Sequence, residues 1–374
     1  MELSLANIAT ILIFYQTSLF AIFLVTIRRH RNLPNRLLAL YLFIFGALMI
    51  EGILYESFYF TYPQFAFIIN ITASLLAPLI YLYVRTLVFQ QIKLKFTDFI
   101  HSAAFIGLSI WSIFTYHILS QEDKLKLLTT GEGLNETMLL VINIIIHLYF
   151  AFYLVLTIQI IRRHNKLVKE NFSESSKVNS KWLNQLVILI IINTIRVFLE
   201  NIIESLFPGQ TYEITLIIIF TYNLFFVNWL IYKALKVPEI FQGVEENTPL
   251  AEEMDSGLLT EENREELKRL DIYMEANKPY LNSELSLHGL AKQVNMASRE
   301  LSILINSHLN KNFFDYVNSF RIKYAQQLLE NPDYKKHTVL EIMYDSGFNS
   351  KSSFNTAFKK TVGVSPTQYR KNKL

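Results

Sequence analysis

Two rhythms of apolar residues divide the chain. Up to about residue 236 they come in long unbroken runs; beyond about residue 260 they return every three or four positions, as on one face of a helix packed against a core. The runs fall at about 4–27, 36–58, 64–89, 98–119, 137–161, 183–206 and 212–235. Each can cross a hydrocarbon layer of about 30 Å at roughly 1.5 Å per helical residue, so the pattern predicts seven transmembrane helices. The fourth run, interrupted by Asp98, His101 and His117, is the weakest of the seven. Pro78 predicts a kink in the third. No Lys or Arg precedes the first run and its length suits a span, so it reads as an anchor rather than a cleaved leader.

In the C-terminal part, Leu267, Leu270 and Met274 mark an amphipathic helix packed on the rest of that domain, ended by Lys278 and Pro279. This seam is under two heptads, too short to argue for a dimer by itself. Next, "LSLHGLAKQV" predicts a helix with Leu287, Leu290 and Val294 inward, "NMA" a turn in which Asn295 accepts a left-handed backbone, and "SRELSILINSHL" a second helix. Two helices across a short turn make a helix-turn-helix unit. Apolar residues at 313, 317, 320, 324, 325 and 328 then predict one long helix, stopped at Asn331 and Pro332. Thr338 and Glu341 form a capping box opening another helix that Gly347 ends; Ser350 caps "KSSFNTAFKKT", and Ser365 with Pro366 opens a last one. The expected fold class is all-α: a seven-transmembrane-helix bundle, then a domain of two helix-turn-helix units joined by a helix.

Charge sharpens the division. Residues 1–236 hold 18 Lys/Arg and 13 Asp/Glu, residues 237–270 hold 3 and 10, and residues 271–374 hold 14 and 9. An acidic stretch, "VPEIFQGVEENTPLAEEMDSGL" (237–258), thus joins two basic regions and reads as an extended, solvated linker. The expected domains are 1–236, 237–258 and 259–374. Fifteen Lys/Arg follow the first, third, fifth and seventh runs, against Lys124 and Lys126 on the other side. By the retention of positive charge on the cytoplasmic face, the N-terminus is expected outside and the C-terminal domain in the cytoplasm.

Inside the sixth run Asn193, Arg196, Glu200 and Glu204 follow one another by three, four and four, on one helical stripe; Glu51 and Glu56 in the second run are placed at similar depth. A charge near a span centre costs about 2.5–3.5 kcal/mol on insertion scales, so the stripe should face protein or water. It reads either as a pocket for a signal ligand or as an Arg196–Glu200 pair that neutralises itself. Asn143 and His147, one turn apart in the fifth run, read as an interhelical hydrogen bond. The chain has no cysteine, which excludes disulfides, thiolate chemistry and Cys-ligated zinc. With no HExxH, GxSxG or phosphate-loop pattern either, no enzyme, cofactor or metal is expected.

The stretch "EIMYDSGFNSKSSFNTAFKKTVGVSPTQYR", together with "LAKQVNMASRELS", resembles the AraC-type transcription regulators over about residues 270–374. The first unit departs from the family pattern at Asn295, Ala297 and "INS" (305–307), and the second at Met343. The resemblance implies a DNA-binding domain, and the membrane-tethered group within the family implies a one-component sensor and regulator. Two reading helices would enter successive major grooves about 34 Å apart. From their place on the outer side of each second helix, Ser298, Arg299, Ser302 and Asn306, and Lys351, Ser352, Asn355 and Thr356, are expected near base edges, with Lys359 and Lys360 on phosphates. Phe348, Phe354 and Phe358 are expected in the core. The partners implied are double-stranded DNA, the lipid bilayer of a bacterial inner membrane, an unknown signal ligand and a second copy in a homodimer. A transporter or channel with a regulatory domain, and a membrane adaptor whose C-terminal domain binds protein, are the alternatives.

Overall fold

The computed structural model describes residues 5–26, 33–89, 92, 94–130, 136–173, 181–206, 212–236, 248, 250 and 261–373. The chain forms two compact units, Met1–Ile161 with Lys181–Glu239, and Arg162–Ser180 with Ile240–Leu374. Among the described residues the elements are helical, and extended backbone pairs at one isolated antiparallel bridge, Phe172 with Ser286. Of the expected linker, 237–258, all but Thr248 and Leu250 lies outside the described residues.

The first unit holds α1 (Leu5–Thr26), α2 (Leu33–Ser57), α3 (Ile68–Thr72), α4 (Leu76–Val88), α5 (Ala103–Ser112), α6 (Gln121–Thr130), most of α7 (Glu136–Asn171), α8 (Lys181–Leu206) and α9 (Tyr212–Lys236). Among the described residues, six stretches are long and apolar enough to cross a membrane: Asn7–Thr26, Leu33–Tyr55, Pro63–Val88, Phe96–His117, Val141–Asn171 and Trp182–Glu200. The seventh expected span contains a shorter apolar stretch, Ile217–Lys233, inside α9. α1 packs on α2 and α9, α2 on α4, and α8 on α9.

Local chemistry explains the irregular places. Where α1 meets α2, a Cβ on Gly46 would lie 2.1 Å from the Thr17 hydroxyl, so only glycine permits that approach. The third apolar run is broken into α3, a 3-10 turn at Ala73–Leu75, and α4. Pro78 has no N–H for the Ser74 carbonyl, and the Tyr149 hydroxyl donates to that oxygen instead, at 3.0 Å. In the fourth, Asp98 pairs with Arg85 at 2.7 Å and accepts the Lys95 N–H, while His101 Nδ1 meets the Tyr153 hydroxyl at 3.0 Å. Two of the polar interruptions of that run, Asp98 and His101, are therefore satisfied within protein. His147 departs from expectation: its Nδ1 pairs with the Asn143 carbonyl at 2.7 Å within α7, and its ring meets Phe198 of α8. The bond is intrahelical because a side chain at i reaches the i−4 carbonyl of its own helix before it reaches a neighbour.

In the second unit, α10 (Glu261–Asn277), α11 (Leu287–Gln293) and α12 (Ser298–Ile303) precede the long α13 (Phe313–Glu330), followed by α14 (Val339–Asp345), α15 (Lys351–Val362) and α16 (Pro366–Lys373). Two cores share α13. One gathers Leu270, Met274, Leu290, Leu301, Phe313 and Val317; the other Ile322, Leu329, Ile342, Phe348, Phe354 and Phe358. The leucine seam of α10 is thus spent on the first core, as its short length implies. The last turns of α7, from Arg162, also belong to this unit.

Candidate nucleic-acid interface

Each half of the second unit repeats one local construction. In the first, the Ser286 hydroxyl accepts the Gly289 N–H at 3.1 Å to cap α11, and Asn295 takes φ 53° in the turn before α12. Ala297 has no oxygen with which to cap α12, and Glu300 compensates by accepting the Ala297 N–H at 3.2 Å. After Ile303 the helix widens into a π turn, Leu304–His308. In the second half, Thr338 and Glu341 exchange hydrogen bonds as a capping box: Thr338 Oγ1 accepts the Glu341 N–H at 3.1 Å, and Glu341 accepts the Thr338 N–H at 2.6 Å. That N–H, then the Thr338 hydroxyl, holds the Glu341 carboxyl below its usual range. Gly347, at φ 87°, makes the turn, where a Cβ would lie 2.4 Å from the Tyr280 carbonyl. Ser350 caps α15 and Gly363, at φ 88°, ends it.

The second helix of each half presents its polar residues unequally. Arg299 is exposed, Ser298 is half-buried beside His288, and Asn306 is half-buried with its amide donating to the Ser302 carbonyl at 2.9 Å. Ser302 corrects the sequence reading: it is 3% exposed, its hydroxyl accepts the Asn306 amide at 3.3 Å, and it is too buried to meet a base edge. On α15, Lys351, Ser352, Thr356, Lys359 and Lys360 are exposed and Asn355 is half-buried, while Phe354 and Phe358 fill the core as expected. Lys360 is already engaged, with Asp315 of α13 at 3.1 Å. Arg370, from α16, is pinned to the carbonyls of His337 and Tyr334, each at 2.6 Å.

Residues 290–372 match the family model described as "Helix-turn-helix domain". The chain is 34% identical over 89 residues to the Msm operon regulatory protein of Streptococcus mutans, covering 24% of this chain and 31% of that protein. It is 30% identical over 107 residues to the HTH-type transcriptional regulator ExsA of Pseudomonas aeruginosa, 29% of this chain and 36% of that one. To the melibiose operon regulatory protein of Escherichia coli it is 30% identical over 87 residues, 23% and 28%. The C-terminal unit carries an AraC-type helix-turn-helix domain. The chain spans about a third of the length of each of these relatives. No solved structure matches it. The AraC-type domain therefore accounts for α11 to α16, and the apolar helices stand outside the matched region.

Three members of the polar stripe of the sixth apolar run, Asn193, Arg196 and Glu200, come together on α8. Arg196 pairs with Glu200, donates to Asn193 Oδ1 from Nη2 at 3.0 Å, and lies 5.5 Å from the Tyr222 ring centre on α9. Asn193 also borders a cavity of about 70 Å³ shared with Tyr41, Tyr153, Thr157 and Phe226. Glu51 is bound elsewhere: it accepts the Asn70 amide at 2.8 Å. The side chains of Glu56 and Glu204 lie outside the described residues.

Proposed function

We propose that this chain is a membrane-embedded transcription regulator in which helices spanning a bacterial inner membrane (1–236) sense a signal, and an acidic linker (237–258) carries a cytoplasmic domain (259–374) that binds double-stranded DNA. The observation that carries the reading is the pair of helix-turn-helix halves on one α13, each offering a second helix with exposed polar or basic residues. Ser298, Arg299 and Asn306 in one half, and Lys351, Ser352, Asn355 and Thr356 in the other, approach base edges; Lys359 and Lys360 bind phosphates. The test is selection of duplexes from a random pool by the full chain in lipid nanodiscs. Enrichment of one sequence family, with affinity falling steeply as salt rises, supports the reading; a pool that stays random overturns it.

The orientation, N-terminus outside and C-terminus inside, rests on the Lys/Arg count. A reporter fused after Leu374 that is active only in the cytoplasm supports it, and periplasmic activity refutes it. For the sensor, Asn193, Arg196, Glu200 and Glu204 of α8, with Glu51 and Glu56 of α2, form the polar intramembrane set. Arg196 held by Glu200, Asn193 and Tyr222 supports a stripe facing protein rather than lipid. Replacing Arg196 with Leu, with insertion verified, should abolish the transcriptional response; an intact response removes Arg196 from the sensor.

A further inference from the structure

The side chain of Arg321, in the middle of α13, is 0% exposed. A guanidinium can be buried at tolerable cost only if its donors are all met. Nε donates to the Tyr280 carbonyl at 2.7 Å, and Nη2 to the Asn282 carbonyl at 2.9 Å. Nη1 reaches Asn318 Oδ1 at 3.2 Å. The set is completed by Ser173, whose carbonyl takes Nη1 at 2.9 Å and whose hydroxyl takes Nη2 at 3.0 Å. Ser173 lies two residues beyond the end of α7, outside the region matched to the helix-turn-helix family. It is itself fully buried, and both its N–H and its hydroxyl donate to the Leu285 carbonyl, at 3.2 and 2.6 Å, beside the Phe172–Ser286 bridge.

The place it occupies is the seam between the two halves. Tyr280 and Asn282 belong to the segment that enters the first half; the Arg321 guanidinium lies 5.5 Å from the ring centre of Phe348, in the turn of the second. Gly347 in that turn approaches the Tyr280 and Leu281 backbone so closely that no Cβ fits. With Ser173 seated, Arg299, Lys351, Ser352, Thr356 and Lys359 all remain exposed, so seating is compatible with a bound duplex.

We propose that residues Phe172 and Ser173, at the end of α7, are a strap whose seating on Arg321 holds the two reading helices in the disposition that binds DNA. The inference rests on the DNA-binding reading above. Withdrawal of the strap leaves two N–H groups of a buried cation to water, and the seam loosens. Fixing both reading helices on a duplex then costs more, and affinity falls. Because α7 runs unbroken from Glu136 to Asn171, through the apolar stretch that begins at Val141, a change in that helix reaches the seam without passing through the linker.

The chain has no cysteine, so Phe172→Cys with Ser286→Cys introduces the only two thiols. Residues directly opposite in an antiparallel bridge stand within the Cα separation a disulfide requires. In full-length protein in nanodiscs, the pair should cross-link on mild oxidation, and the oxidised form should bind the selected duplex at least as tightly as the reduced form. Ser173→Leu should weaken that binding by about tenfold or more and speed amide exchange over residues 280–286. Failure of the pair to cross-link in folded protein overturns the seating. Weaker binding on cross-linking, or Ser173→Leu with wild-type affinity and exchange, overturns the control. Should Ser173→Leu not fold, the oxidised and reduced forms of the cysteine pair decide alone. A wild-type chain that selects no duplex defeats the DNA-binding reading, while cross-linking and exchange still judge the strap.

Discussion

At the scale of single residues, two lysines next to each other on α15 have different environments. Lys359 is exposed and enters no ion pair among the described residues, whereas Lys360 is held by Asp315 and must leave it to meet a phosphate. Lys359→Ala should weaken binding to every duplex and lower the slope of log affinity against log salt by about 1. Asp315→Asn should leave affinity unchanged or raise it, because it releases Lys360; a loss would show that the pair itself positions the helix. Gly46 is a second case, where backbone approach decides. Gly46→Leu must displace Thr17 and should destabilise the α1–α2 packing by roughly 1–3 kcal/mol, read as a lower melting temperature in detergent. The sequence showed the candidate lysines, the Phe core of α15 and the left-handed Asn295, since each follows from residue type and short-range spacing. It did not show that Ser302 is buried, because that serine borders the face of Leu301 and Ile305, and spacing along one helix does not tell what covers the edge of that face. Nor could it show Ser173 against Arg321, a contact 148 residues apart in which neither side chain has an unusual neighbour in sequence.

At the scale of elements, caps are where sequence and structure agree best. Thr338, Ser350 and Ser365 each accept a backbone N–H three residues on, as their types and places suggested, because a cap depends on four consecutive residues and little else. Thr338→Ala should cost about 1 kcal/mol and fray α14, the helix that supports the second reading helix. Its partner adds a pH dependence with a defined sign. Glu341 is held below its usual pKa, so its share of stability is complete above the unfolded carboxylate range, near roughly pH 4.3, and is lost as pH falls through the lower folded value. Glu341→Ala should therefore lower the melting temperature at neutral pH, and the gap to the wild type should close in acid; a gap that widened would contradict the capping box. The long apolar helices were legible in their extent but less so in their internal form. A run of apolar residues predicts a helix long enough to cross a membrane, while the break before Pro78 depends on a hydroxyl from α7 that completes the Ser74 carbonyl.

At the scale of the whole DNA-reading unit, the consequence of sharing α13 can be measured in base pairs. Both cores are built on opposite ends of that one helix, Phe313 and Val317 in the first, Ile322 and Leu329 in the second, so the two reading helices cannot turn independently without opening the seam at Arg321 and Gly347. A B-form duplex repeats about every 10–10.5 base pairs, and two helices fixed on one face must find grooves one repeat apart. Five base pairs inserted between the two half-sites of a selected duplex rotate one of them by about half a turn, to the far side. Binding should then fall to the level of a single half-site, and ten inserted base pairs should restore the facing but not the distance, leaving binding equally weak. Two modules on an adaptable joint would behave otherwise: ten added base pairs would rescue them, and five would be tolerated in part. Gel-shift titrations of the three duplexes separate these outcomes, and a rescue at ten would mean that α13 is not the rigid spacer its two cores describe.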